Sequence, residues 1–323
     1  MMKILEKNMV KISLLIIAVV GFSVLFLTYN TYGNLEFALS FRGKKFIAFI
    51  LVGVATTFAT ITFQTITNNH FLTPSILGFD SLYILIQTLL FFFFGIQVSS
   101  VLHHTIPLFL LNVFLMVVLS GFLYFFLLKK GNRELYLLLM VGMILGTLFS
   151  SISTFLQVIL DPNEYDKLQG KLFASFSNID ISLIGIGFIL SCLAIIYLWL
   201  SAPTLDVLHL GRDQATSLGV NVRNFQIKLL LVVSLLVALS TALAGPVTFL
   251  GFIVVNLTYQ WMGTYKHRYL FVAGSLISVL LLVSGQFFVE QVFKWNTTMS
   301  VVIEFVGGVY FVGKILHERK RAH

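Results

Sequence analysis

The sequence predicts an all-α polytopic membrane protein with about ten transmembrane helices, on two observations. The first is composition: 58% of the 323 residues are hydrophobic and only 11% are charged, against about 25% in an ordinary soluble domain. Thirteen acidic and 21 basic residues cannot coat a globule of this size with polar atoms, so a soluble fold is excluded and lipid is the main solvent. The second is spacing: ten apolar stretches approach or reach the roughly 20 residues that a spanning helix needs.

In order, the stretches are 12–28, 46–66, 76–96, 106–128, 134–158, 179–200, 224–244, 249–262, 269–289 and 299–316. The first follows Lys3, Lys7 and Lys11 like a secretory signal, but no small-residue cleavage site follows Thr28, Tyr29 and Asn30, so it is expected to stay as an anchor. The eighth is short and comes after Ala244, Gly245 and Pro246, which predicts a partly broken or re-entrant element. The polar segments 29–45, 159–178 and 201–223 are the longest connectors, and none has the ~50 residues of an independent domain. The whole chain, 1–323, therefore reads as one membrane domain.

The net charge of +8 would suggest nucleic acid in a soluble protein; here it maps topology, and no nucleic-acid partner is expected. With the N-terminus inside, only Arg42, Lys44, Lys45, Lys167, Lys171 and Lys294 fall outside, and the other fifteen basic residues are cytoplasmic. Both termini are then cytoplasmic. A single cysteine, Cys192, excludes an intramolecular disulfide and a cysteine metal cluster.

The segment from Leu205 to Gly219 predicts a short amphipathic helix, with Leu210, Ala215 and Leu218 toward a partner groove, Arg212, Asp213 and Gln214 wet, and Gly219 ending the helix. An ordinary solvated connector is the alternative. Gly211, Ala215, Leu218 and Gly219, at this place between the sixth and seventh spans, resemble the coupling segment of permeases from ABC importers for iron-siderophores and vitamin B12, the FecCD-type, type II importers. The resemblance extends along the chain. Arg42-Gly43-Lys44-Lys45 stands where that family has Arg-Leu-Pro-Arg. Gln64 with Asn69-His70-Phe71-Leu72-Thr73-Pro74 and Leu77-Gly78 is similar to its Gln, Asn-Pro-Leu-Ala-x-Pro and Leu-Gly. Gly245 to Gly251 resembles its Gly-x-x-x-Phe-x-Gly turn, and Gly307-Gly308-Val309-Tyr310-Phe311 its Gly-Ala-Pro-x-Phe. Two departures stand out. Val255-Asn256 replaces a Pro-His pair, and Gln286 and Glu290 lie nearest to a family Asp and Arg, the latter without a clear equivalent. The stretch from Asn69 to Tyr83 is most similar to the siderophore branch, including catecholate-type permeases, which makes vitamin B12 the less favoured cargo.

The resemblance implies a type II importer fold, a second permease subunit with a heterodimer slightly favoured over a homodimer, two ATPase subunits that hold ATP and magnesium, and an extracytoplasmic binding protein. It implies no cofactor, metal or catalytic residue in this chain, because the iron travels inside its chelate. Arg212 and Asp213 join the coupling set. The outer basic residues Arg42, Lys44, Lys45 and Lys294 are assigned to docking of an acidic binding protein, plain solvent charge being the alternative. In the vitamin B12 permeases the gate lies in the turn after the second span and in small polar residues of the fifth. That carries the role to Gln64, Asn69, Phe71, Ser150 and Ser151, against a reading as simple helix packing.

Two carboxylates lie inside predicted spans, Asp80 and Glu304, where a central charge costs roughly 2.5–3.5 kcal/mol on insertion scales. Asp80 can instead cap its helix, and Glu304 can line a cavity or pair with another helix. They also define the rival reading, an ion-coupled secondary transporter. A membrane enzyme has less support, since no His, Cys or carboxylate constellation clusters in the sequence. The adjacent His103 and His104 diverge in direction and read as wet loop residues. Gly308 to Lys314 imitates a phosphate loop, but Ile315 replaces the magnesium-binding hydroxyl and no strand precedes it.

Overall fold

The computed structural model describes residues 2–30, 35–95, 105–127, 134–172, 176, 181–294 and 297–322. Its regular elements are all helical: α1 (Met2–Thr28), α2 (Leu35–Thr67), a 3-10 turn (Pro74–Leu77), α3 (Phe79–Phe94), α4 (Thr105–Leu127), α5 (Glu134–Ile159), α6 (Pro162–Leu172), α7 (Ile181–Leu200), α8 (Ala202–Leu208), α9 (Arg212–Ser217), α10 (Val222–Ala244), α11 (Leu250–Met262), α12 (His267–Gln291) and α13 (Met299–Ala322). Within the described residues each of the ten expected apolar stretches falls largely on a helix, the third being divided at Gly78 between the 3-10 turn and α3. Among the described residues, seven are long and apolar enough to cross a membrane, whereas α3 is a 16-residue apolar helix and α11 has 13 residues. At 1.5 Å per residue α11 covers only about 20 Å of a ~30 Å hydrocarbon layer. His103 and His104 lie outside the described residues.

Three connectors carry more structure than their polarity suggested. α2 starts at Leu35, so Arg42 to Lys45 sit on a helix rather than in a loop; Glu36 in its first turn complements the helix dipole. The connector after α5 contains α6, with Glu164 in its first turn and Lys171 in its last. The single amphipathic helix expected across Leu205–Gly219 is two helices. Gly211 separates them at φ 111°, a conformation open to glycine but costly for a side chain.

The centre of the bundle is α2, which packs against α10, α12 and α7, while α10 also packs on α4 and α12 on α1 and α11. Inside this core Tyr124 and Ser234 share a 2.7 Å hydrogen bond, joining α4 to α10. A second unit pairs α3 with α5. Gly78, at φ 83°, caps the 3-10 turn, and a Cβ there would lie 2.9 Å from the Gly146 backbone. Gly142 makes the same close approach to Leu77. Small residues four apart on α5 thus let the turn before α3 lie directly on the helix.

Candidate translocation pathway and coupling surface

Polar side chains of α2 and α11 hold the loop after α2. Asn68 turns the chain at φ 48°, and the Asn69 amide donates to the Gln64 carbonyl at 3.1 Å. The Gln64 side chain donates to the His70 carbonyl at 2.8 Å, and Asn256 approaches the same carbonyl at 3.4 Å. Asn69 Oδ1 accepts from the Phe71 amide at 2.8 Å, an Asx turn that presents Phe71. The Phe71 ring meets Phe252 of α11 and Phe311 of α13 at centroid distances of 6.5 and 6.4 Å. Phe249 and Phe252 pack on Phe311 at 6.4 and 5.0 Å. Lys314 donates to Asn256 Oδ1 and lies 5.1 Å from the Phe71 centroid, within cation–π range.

These rings border a cleft of about 460 Å³ whose polar wall is Thr73, Ser75, Asp80, Ser81 and Thr248. Asp80, in the first turn of α3, accepts from the Thr248 hydroxyl at 3.2 Å and from Ser75. It therefore joins the turn before α3 to the turn before α11. Behind it a recess of about 30 Å³, lined in part by Thr56, Thr60 and Ser240, has room for about one water. Glu304 is exposed on α13 and close enough for its charge to interact with Asp80. Ser150 is exposed and donates to Ser81 at 3.0 Å, reaching the edge of the cleft through that residue. Ser151 instead bonds to Thr147 of its own helix. Of the expected gate residues, Gln64, Asn69 and Phe71 form one unit, and Ser150 borders it. Sequence reading missed Phe252, Asn256, Phe311, Lys314 and Thr248; Thr248 and Phe311 lie inside family motifs and Asn256 at a departure from one, but nothing local to Lys314 places it over Phe71.

At the other end of α2, Lys45 is 2% exposed and pairs with Glu290 of α12 at 3.0 Å. Arg42 Nε lies 3.7 Å from the same carboxylate, and its guanidinium donates to the Phe26 and Tyr29 carbonyls at the end of α1. Gln286 adds a 3.0 Å bond to Glu290. This corrects the docking assignment of Lys45 and Arg42: a buried, paired ammonium and a guanidinium closing a helix end do not present charge outward. Lys44 and Lys294 are exposed. Of the two positions where the family motif failed, Glu290 holds the counter-charge and Gln286 donates to it.

On the coupling segment Ala215 is fully buried, while Leu210 and Leu218 are 56% and 64% exposed. Ala215 therefore anchors α9 to the bundle instead of sharing an outward face with the leucines. Gly219 takes the left-handed conformation at φ 85° and donates to Thr216, as a helix end requires. Arg212, Asp213, Thr216 and Ser217 line an open groove of about 730 Å³ with Asn221 and Arg223. Gly308 to Lys314 lie within α13, without the strand and loop of a phosphate site.

Short broken helices, an aromatic constriction and a polar cleft within a multi-pass helical bundle define a membrane permease. The sequence matches the FecCD transport family over residues 8–317, and the chain belongs to that family. It is 46% identical to the petrobactin import system permease protein YclO of Bacillus subtilis, over 97% of this chain and 99% of the relative. It is 40% identical to the petrobactin import system permease protein FatC of Bacillus anthracis, over 84% and 77%. Its fold is similar to a solved chain described as a metal-chelate type ABC transporter in an inward-facing conformation, with TM-score 0.77, 21% identity, and coverage of 96% and 99%.

Proposed function

We propose that the chain is the transmembrane permease of an ABC importer that carries an iron–siderophore chelate of the petrobactin type into a bacterial cell across the cytoplasmic membrane. Near end-to-end similarity to a petrobactin permease carries this reading, since 46% identity over 97% of the chain leaves no room for a different architecture. The geometry supports it: a cleft large enough for part of a chelate is lined by Phe71, and the adjacent His70 lies 6.2 Å from His209 at the end of α8. In this reading both termini and the groove beside α9 are cytoplasmic. Two ATPase subunits bind there with ATP and magnesium, and a second permease, a heterologous one slightly favoured, completes the pathway. An extracytoplasmic binding protein meets Lys44 and Lys294. Iron stays in its chelate, and hydrolysis belongs to the ATPases. Asp80 serves as a brace to Thr248 rather than an ion-coupling site.

The test is uptake of iron-loaded petrobactin into proteoliposomes holding the purified chain with its partner subunits and binding protein. ATP inside the vesicle is expected to drive uptake. Uptake by the chain alone on a proton gradient would establish the ion-coupled reading instead.

A further inference from the structure

The coupling segment and the gate loop are joined by a buried side chain that neither reading of the motifs used. His267 opens α12 and is fully buried. Asp206 of α8 accepts from its backbone N–H at 2.8 Å and lies 2.6 Å from its Nδ1, so one carboxylate both caps α12 and orients the ring. The other ring nitrogen, Nε2, lies 2.7 Å from the hydroxyl of Thr65 in the last turn of α2. The same hydroxyl donates to the Ile61 carbonyl at 2.9 Å, and the direction of its contact with Nε2 follows the tautomer of the ring. The neighbour of Thr65 is Gln64, whose side chain holds the His70 carbonyl and hence the Phe71 turn. A second contact runs in parallel. His209, at the end of α8, stacks on Tyr265 at 6.3 Å and sits 6.2 Å from both His70 and His267. Burial, and then His267, lower the His209 pKa, against a smaller upward pull from Asp206. Among the described residues no group of three or more His, Cys, Asp or Glu is placed to hold a metal.

We propose that Asp206, His267 and Thr65 form the positioning link through which a shift of α8 and α9 reaches the gate loop, a role that rests on the ABC permease reading. Three elements from distant parts of the chain meet in two short hydrogen bonds, and Asp206, 29% exposed, is the member nearest the face an ATPase would contact. Directional bonds transmit displacement because they have one favourable geometry, whereas apolar contacts slide.

The test uses the assembled importer with its ATPases and binding protein in proteoliposomes, in a Cys192→Ser background with cysteine at Phe71 to read the gate. Asp206→Ala and Thr65→Val are expected to leave ATP hydrolysis within about twofold, cut chelate imported per ATP about tenfold, and make Phe71→Cys labelling insensitive to nucleotide. Asp206→Asn, which keeps an acceptor oxygen, and Thr65→Ser, which keeps the hydroxyl, are expected to recover most of the transport ratio. A parallel loss of hydrolysis and transport, or no change in the ratio, would overturn the link and assign these residues to stability alone. Thr65→Val keeps side-chain volume and lies away from the ATPase face, so it decides the matter if Asp206→Ala does not assemble. Failure of the unsubstituted importer to use ATP would instead refute the permease reading.

Discussion

The two ends of α2 are held in opposite ways. About 30 Å separates Lys45 from Thr65 along the helix axis. At the Lys45 end, charges on α2 and α12 are buried against one another, and the same arginine closes the end of α1. Removing one member leaves a desolvated charge, so that end tolerates little rearrangement. At the Thr65 end no charged side chain of α2 takes part: Gln64 reaches a loop carbonyl, the Thr65 hydroxyl meets the His267 ring, whose other nitrogen faces Asp206, and phenyl rings from separate elements meet edge to face. Each neutral contact is worth about 1 kcal/mol, so this is the more replaceable end of the two.

The strongest way to break this comparison is Glu290→Ala, which removes the carboxylate that pairs with Lys45 and Arg42. A loss of about 3–5 kcal/mol is expected, read as a lowered midpoint of thermal unfolding in detergent, with much of it recovered when Lys45→Met is added. A small effect would mean that the ion-paired end is not the rigid one. Next is Leu218→Asp on the exposed face of the coupling segment: transport is expected to fall about tenfold or more while membrane insertion stays intact, as measured by uptake and by yield of the complex. Phe71→Ala sharpens the description of the replaceable end. It removes a ring at the edge of a cleft and is expected to cost under about 2 kcal/mol in unfolding, yet to raise nucleotide-independent leakage of chelate from loaded vesicles. The smallest effect is expected for Lys44→Glu with Lys294→Glu, which should slow association of the binding protein several-fold at low salt and hardly at all at high salt. No change at low salt would place docking elsewhere on that face.

Much of the frame was legible because its causes are local. Apolar length defines a spanning helix residue by residue, and Gly219 or Asn69 carry turn geometry in their own covalent structure. The motifs around Asn69 and Gly219 were legible for the same reason: their spacing is short. Lys45 shows where this stops. Its charge suggested an outward-facing docking residue, but Glu290 lies 245 residues away in sequence and 3.0 Å away in space. Ala215 shows it on a smaller scale, since a one-turn helix after a glycine break does not keep the face that a continuous helix would give it.

The sequence by itself determined a membrane solvent, an all-helical architecture, a short eighth element and the family whose motifs stand in order, all consequences of composition and short-range spacing. Only the tertiary structure decided that Lys45 is a buried counter-charge, that Lys314 and Asn256 sit against the loop that bears Phe71, and that Asp206 meets Thr65 through His267. Burial and pairing depend on which surfaces the packing of α2, α8, α11, α12 and α13 brings together, and no local pattern encodes that choice.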